Sequence, residues 1–142
     1  MHIVTRAASV TAIALLAVGG AAAASAAPAI PLNNGQETTD AKGGGHGMFS
    51  YMIEGDQFCY TLDVTGLTVP AAAAHVHSAP RGEAGPIRIP LSVPNATSFH
   101  VEDCTTVSDP AILAGVQADP SGWYVNVHTA TYPGGEVRGQ LK

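Results

Sequence analysis

Residues 48–65, with the sequence MFSYMIEGDQFCYTLDVT, have the most regular strand pattern in the chain. Apolar side chains recur at every second position in both halves, which is the period of a β-strand. Residues 55–56, Gly-Asp, separate the halves and suit a tight hairpin turn. We therefore predict a β-hairpin here, with Phe58 and Tyr60 on one face and Cys59 on the other. The alternation alone leaves open which of these faces is the core.

Shorter elements follow on both sides of this hairpin. One helix is predicted from Pro110 to Ala118, because Asp109 suits the N-cap and Pro110 the first helical position. Regularly spaced strands with Gly and Pro turns indicate an all-β antiparallel β-sandwich of seven or eight strands with one short helix. The further strands are predicted over residues 36–40, 75–77, 86–91, 99–104, 123–129 and 136–141.

Length and charge limit the classes of function. The chain has 142 residues, which suits one domain with its own core. Charged residues make up 12% of the chain, roughly half of the usual share, as in many extracellular β domains. A net charge of −5 and the absence of a basic run argue against binding to nucleic acid.

Residues 1–26 are predicted to form a signal peptide. Arg6 precedes an apolar run of small residues, and Ala24-Ser25-Ala26 fits a cleavage site. A membrane anchor is the alternative, but the Ala- and Gly-rich run is weakly hydrophobic for that role. Cleavage after Ala26 leaves a domain over 27–142 without a membrane span, and we expect it to be secreted or held in the cell envelope.

The chain contains two cysteines, Cys59 and Cys104. In an exported protein an even number of cysteines indicates a disulfide. The alternative is a pair of metal-binding thiols, but neither cysteine lies in a short Cys-x-x-Cys cluster. We therefore predict that the two cysteines are joined.

Three histidines are candidate metal ligands. His75 and His77 share one face of a predicted strand, because side chains two residues apart point the same way. His128 shares a face with Asn126 on a second strand, whose valines take the other face. If the valines pack inward and the strands are neighbours, the three imidazoles meet on the outer face. Imidazole suits Cu(II), which stands highest in the divalent affinity order, so we predict a copper site.

Other polar residues are candidates to support the metal ligands. Asn126 lies on the same face as His128, and Arg138 and Glu136 share a side of the last strand. A surface salt bridge is the alternative for Arg138. His46 follows three glycines and offers a fourth ligand, although an exposed loop histidine is the more ordinary interpretation. The role of His100 stays open.

The chain carries several short motifs: Cys59-Tyr60-Thr61-Leu62, Gly66-Leu67, Ala74-His75-Val76-His77, Gly85-Pro86-Ile87, Trp123 to Thr129 and Pro133 to Leu141. The combination of the patterns H-x-H, Y-x-N-x-H-T and G-E-x-R-G-Q-L is specific. Together these motifs resemble the chordin-type (CHRD) domain of secreted bacterial proteins over residues 30–142. The resemblance implies a fold and an exported protein more than an activity.

A second resemblance concerns the copper site of copper/zinc superoxide dismutase, which lies on an immunoglobulin-like sandwich. It implies that His75, His77 and His128 are copper ligands and that Arg138 attracts the anion. The chain departs from that family between His77 and His128, where it has only His100 in place of a bridging histidine and a zinc cluster. The resemblance therefore implies a superoxide-dismutase-like sandwich with copper and no zinc, and it assigns no enzyme activity.

Two functions remain for comparison with the structure. The first is an extracytoplasmic protein that binds a copper ion through three histidines. The second is a non-catalytic binding or adhesion module of the envelope, in which the same histidines are structural and hydrogen-bond neighbouring strands. The second would present its loops to a protein or a glycan.

Overall fold

A computed structural model describes residues 29–142, so the predicted signal peptide over 1–26 and its cleavage site lie outside the described residues. Within this range the predicted all-β class and the single short helix are confirmed. The helix α1 covers Pro110–Ala118, and short 3-10 turns cover Asn34–Gln36 and Pro120–Gly122. The strands are β1 (Ile30–Asn33), β2 (His46–Glu54), β3 (Gln57–Thr65), β4 (Ala71–Ser78), β5 (Ile87–Leu91), β6 (Phe99–Thr106), β7 (Trp123–Thr129) and β8 (Val137–Gln140).

The strands form one sheet in the order β5-β4-β7-β8-β1-β2-β3-β6. Each strand pairs with its neighbours in the antiparallel direction. The sheet curls until its two edge strands approach each other, and Thr105 Oγ1 of β6 donates to the carbonyl oxygen of Pro90 in β5 at 3.1 Å. The predicted sandwich is therefore an approximation, because both halves belong to one nearly closed, barrel-like sheet.

The hairpin of β2 and β3 has its aromatic face inside the barrel. Phe58 and Leu62 are fully buried, and Phe49 lies opposite Leu62 in the register of the two strands. The rings of Tyr51 and Phe58 stack with centroids 5.2 Å apart, and such pairs contribute about 0.5–1.5 kcal/mol beyond their buried area. The structure thus resolves which face of the hairpin is the core.

The predicted disulfide joins β3 to β6. Cys59 and Cys104 lie directly opposite each other on the outer face of these strands, with a Cα–Cα distance of 3.9 Å. They are 45 residues apart, and closing a loop of this length stabilises the fold by roughly 4 kcal/mol in the chain-entropy model. The alternative of metal-binding thiols is wrong, because both sulfurs are used in the disulfide.

The helix α1 begins as its sequence predicts. Asp109 accepts a hydrogen bond from the backbone N–H of Ala111 at 3.0 Å, which caps the first turn. Leu113 and Val116 are its buried residues and pack against the barrel. Across residues 29–142 the structure contains no helix with the length and apolar character needed to cross a membrane.

The prediction of a strand over residues 36–40 is wrong. The first strand lies earlier, at Ile30–Asn33, where Ile30 and Leu32 are buried and alternate with exposed residues. Residues 36–40 are all polar, so a strand there would bury no apolar surface. After the 3-10 turn the chain instead crosses the outer face of the sheet, and Thr39 Oγ1 donates to the carbonyl oxygen of Gly135 at 2.9 Å.

The strands β4 and β7 present their valines to the core. Val76, Val125 and Val127 are all fully buried inside the barrel. Their polar neighbours in sequence, among them His75 and His77, must therefore lie on the outer face. The alanines before His75 belong to β4 itself, which extends the predicted strand toward its start.

Candidate metal centre

The candidate centre lies on the outer face of β4 and β7, which are neighbours in the sheet. His75 is opposite Asn126 in the register, and His77 is opposite Tyr124. His128 follows Asn126 by two residues, so it lies diagonally across from His75. The structure therefore brings together the three histidines named from the sequence, and a ring nitrogen of each lies within 4.8 Å of those of the other two.

Two of the imidazoles are in direct contact. His75 Nδ1 lies 3.0 Å from His128 Nε2. At this distance one nitrogen donates a hydrogen bond to the other. Two imidazoles so close would hold one shared ion if the hydrogen between them left.

Backbone carbonyls fix the orientation of the His77 and His128 rings. The Nδ1 atoms of His77 and His128 lie 2.9 Å from the carbonyl oxygens of Gly85 and Pro133. A carbonyl oxygen only accepts, so each Nδ1 donates its hydrogen and each Nε2 carries a lone pair. His77 Nε2 is buried and has no hydrogen-bond partner. Both rings are thus held in the tautomer that offers Nε2 to a ligand.

The environment keeps the three histidines neutral. Burial, together with smaller contributions from the neighbouring imidazoles of His128 and His77, lowers the pKa of His75 to about 4. Burial also lowers the pKa of His77, with a smaller contribution from the charge of Arg138, while the bond to Gly85 opposes the shift. Burial lowers the pKa of His128 against the opposing bond to Pro133. Neutral imidazole is the form that binds metal ions.

Arg138 contacts the candidate centre through the ring of Tyr124. Its guanidinium carbon lies 3.4 Å from the centroid of the Tyr124 ring. The other face of Tyr124 stacks on His77, with centroids 4.7 Å apart and an interplanar angle of 5°. His77 is therefore held in a three-layer stack of imidazole, phenol and guanidinium, and this contact fixes the plane of its ring.

Hydrogen bonds also tie Arg138 to a distant loop. Its guanidinium donates to the carbonyl oxygens of Glu83 and Pro80 at 2.7 and 3.0 Å, and to Gln140 Oε1 at 3.1 Å. The side chain is only 1% exposed, so the alternative of a surface salt bridge is wrong. These contacts fit a positioning role better than the attraction of an anion that the resemblance to superoxide dismutase implies.

Glu136 immediately precedes β8, and its carboxylate is bonded to residues outside the histidine cluster. Its Oε1 accepts from the backbone N–H of Thr68 at 2.7 Å, and its Oε2 accepts from the hydroxyls of Thr68 and Thr129 at 2.8 and 2.7 Å. Both carboxylate oxygens are thus bonded, and the residue fastens the loop after β3 to the end of β7. Among the described residues, no hydrogen bond joins Glu136 to a histidine.

Asn126 connects the cluster to a residue that the strand pattern missed, Glu37. Asn126 is fully buried; its Nδ2 lies 3.4 Å from the carbonyl oxygen of Gly134, and its Oδ1 has no partner. Burial raises the pKa of Glu37 to about 7, while the charge of Arg138 and the Asn126 side chain act in the opposite direction. No periodic signal marks Glu37, because it comes from the irregular segment after the first 3-10 turn.

The remaining histidines lie apart from the cluster. His46 is exposed at the start of β2, and its Nδ1 is 3.0 Å from the carbonyl oxygen of Gly44. His100 is exposed on β6, and its hydrogen bond to Asp63 at 2.6 Å raises its pKa. Neither belongs to the group of three whose ring nitrogens converge.

Comparison with known proteins identifies the family. No curated protein and no solved structure shows a significant match to this chain. The family model of the CHRD domain matches residues 25–141, which is most of the chain and includes every strand described above. The resemblance drawn from the sequence motifs is thereby confirmed, and the protein belongs to the CHRD domain family.

Proposed function

We propose that this protein is an extracytoplasmic copper-binding protein in which His75, His77 and His128 hold one Cu(II) ion. The observation that carries the proposal is His77 Nε2, a buried lone pair that faces no hydrogen-bond donor. An unsatisfied buried polar atom costs about 1–3 kcal/mol, and a metal ion supplies the missing partner. CHRD domains are typically extracellular, which supports the location.

The donor set favours copper over other ions. The cluster offers imidazole nitrogens alone, and the thiols of the described chain are joined in the disulfide. Ca²⁺ and Mg²⁺ prefer oxygen ligands. Imidazole suits both Cu(II) and Zn(II), and Cu(II) stands higher in the divalent affinity order.

The cluster must tighten slightly around an ion. Two nitrogens on opposite sides of a metal are about 4.1 Å apart, whereas the cluster spreads over as much as 4.8 Å. His75 is the ring free to adjust, because its hydrogen bond is to His128 and not to a backbone carbonyl. His77 and His128 stay anchored at Gly85 and Pro133.

A bound Cu(II) would supply a redox-active Lewis acid with positions left open for water or an anion. The protein's own residues orient and keep neutral the three ligands. The half-buried positions of His75 and His128 leave the site accessible from solvent. We propose no catalytic residue.

The test is a Cu(II) titration of the untagged protein with electron paramagnetic resonance. We expect one bound Cu(II) per chain and hyperfine coupling to nitrogen nuclei. Replacing His75, His77 or His128 by Ala should lower the affinity by orders of magnitude. His100→Ala is the matched control, because His100 lies outside the cluster, and it should bind as the parent does. Equal affinity in the triple Ala variant and the parent would rule out this site.

A non-catalytic envelope module is the second candidate function. It is favoured by the hydrogen bonds that the histidines make without a metal, from His75 to His128 and from His77 and His128 to backbone carbonyls. In that case the histidines would be structural and would connect β4 and β7 to the neighbouring loops through these hydrogen bonds. Metal analysis of the protein purified from its native compartment distinguishes the two, since a protein free of copper that also fails the titration would support the module.

A further inference from the structure

The segment after the first 3-10 turn lies over the outer face of β7 and β8 and carries Glu37 with it. Asn34 Nδ2 donates to the carbonyl oxygen of Glu136 at 2.8 Å, and Thr39 Oγ1 donates to that of Gly135 at 2.9 Å. Gln36 Oε1 accepts from the backbone N–H of Gln140 at 3.3 Å. With a tether on each side, Glu37 is held in place although it belongs to no strand or helix.

The structure makes room for Glu37 at one glycine. Gly135 has a φ of +128°, and a Cβ at this position would overlap both the Glu37 carboxylate and the Asn126 amide. The close packing of these three residues therefore depends on the absence of a side chain at 135. His75, Asn126 and Arg138 lie side by side in the register of β4, β7 and β8. Glu37 contacts this row at Asn126, its middle residue.

The carboxyl group of Glu37 is incompletely paired. Its Oε1 is buried and has no hydrogen-bond partner, as is also true of Asn126 Oδ1 beside it. Glu136, by contrast, has both oxygens bonded by hydroxyl and backbone donors. Burial favours the protonated acid and raises the pKa of Glu37 to about 7, against the charge of Arg138, the Asn126 amide and the backbone of Thr38, which lower it.

A negative charge nearby would stabilise a cation in the proposed metal site. Its three ligands are neutral imidazoles, and Arg138 already places one positive charge in the same row of the sheet. A divalent cation would add two more in a partly buried region, where charges interact strongly. A carboxylate beside Asn126 would offset this charge, because Asn126 is directly opposite His75.

We propose that Glu37 is the charge-balancing residue of the metal site: it is protonated in the metal-free protein and releases its proton to solvent when a divalent cation binds the three histidines. The inference rests on the proposed metal site. The step is a simple exchange, in which the O–H bond of the acid breaks, the carboxylate stays in place and the proton leaves. No electron is transferred.

Few charged groups face Glu37. Arg138 of β8 is the cation that acts on it, and Asn126 of β7 contributes a neutral amide. The turn over residues 133–135, Pro-Gly-Gly, has no titratable side chain. From β4, His75 lies directly opposite Asn126 in the register of the strands. A change in charge at the histidines therefore reaches Glu37 through one buried amide.

The test counts protons during Cu(II) binding. Calorimetric titrations at pH 7 in buffers of different ionisation enthalpy give the number of protons released per ion. A group with a pKa near the working pH is about half protonated, so we expect the parent to release about half a proton more than Glu37→Gln. Glu54→Gln, at the exposed tip of the hairpin, is the matched control and should behave as the parent does. Above pH 8 the difference between the parent and Glu37→Gln should vanish.

A second measurement needs no metal. The side-chain carboxyl carbon of Glu37, observed by nuclear magnetic resonance in the metal-free parent, should titrate near pH 7. Titration of Glu37 at an ordinary pH, or equal proton release in the parent and Glu37→Gln while both bind Cu(II), would overturn the inference alone. Failure of the parent to bind Cu(II) would overturn the proposed function and the inference with it.

Discussion

At the scale of single residues, His77 differs from the other two histidines because every contact of its ring is fixed. Its Nδ1 donates to Gly85 and its face stacks on Tyr124, so only Nε2 is free. Tyr124 is held in turn, because its hydroxyl accepts from the backbone N–H of Gly85 at 3.2 Å. One glycine in a surface loop therefore orients two neighbouring rings.

This arrangement predicts the effect of Gly85→Ala. A Cβ at Gly85 would overlap the backbone of Ser78 and come within 2.8 Å of the Ala79 Cβ, so the loop must shift and the carbonyl must leave His77. We expect Cu(II) affinity to fall about 10–100-fold, as for other residues that orient metal ligands. Gly82→Ala in the same loop is the control. Its φ of +80° makes the substitution strained, but no atom lies within 4 Å of the added Cβ. The carbonyl of Gly85 therefore stays in place, and we expect the Cu(II) affinity to equal that of the parent. Unchanged affinity in Gly85→Ala would contradict an orienting role for its carbonyl.

At the scale of elements, the strands that carry the histidines are distinct from those that carry the disulfide. His75, His77 and His128 belong to β4 and β7, whereas Cys59 and Cys104 belong to β3 and β6. The disulfide connects the strong aromatic hairpin to β6, which is an edge strand of the sheet. Stability and metal binding should therefore be separable by substitution.

The double variant Cys59→Ser with Cys104→Ser tests this separation. We expect the free energy of unfolding to fall by about 2–5 kcal/mol, because the unfolded chain regains the freedom of a long loop. Denaturant unfolding measures this change, and reduction of the parent by a thiol should reproduce it. Cu(II) affinity measured under folding conditions should stay at the parental value. A large loss of affinity in a folded double variant would show that the two regions are coupled.

At the scale of the whole molecule, two half-buried groups link stability to pH in opposite directions. The pKa of His75 is lowered to about 4 in the folded protein, so the unfolded chain binds more protons and stability falls as the pH drops below about 6.5. The pKa of Glu37 is raised to about 7, so the folded protein binds more protons and stability falls as the pH rises from about 4.5 to 7. The two contributions partly cancel in that window.

Thermal unfolding of the metal-free protein between pH 7 and pH 4 tests the histidine part. In His75→Ala the loss of stability on acidification should be smaller than in the parent, since the variant lacks the proton uptake that favours the unfolded chain. The exposed His46→Ala should keep the parental pH profile. Identical profiles for His75→Ala and the parent would contradict the burial of a neutral imidazole at this position.

The fold could be predicted from the sequence wherever the controlling interactions are local. The alternation in residues 48–65 predicts the hairpin, because the pleat of a strand sends successive side chains to opposite faces. The same period puts His75 and His77 on one face and Val76 on the other. The strand predicted over residues 36–40 is wrong because a run without apolar side chains gains nothing from the core.

Which strands become neighbours depends on long-range packing and could not be predicted from the sequence. That β4 and β7 are neighbours, with His128 diagonal to His75, depends on the order in which the sheet curls, and no period in the chain encodes it. Two of the three hydrogen-bond partners of Arg138 are backbone carbonyls 55 and 58 residues away, so this part of its positioning role has no local signal. The position of Glu37 is fixed by hydrogen bonds from its neighbours in sequence to β8 and to the turn before β8. Local geometry thus determined which side chains share a face, whereas long-range packing determined which faces became a site.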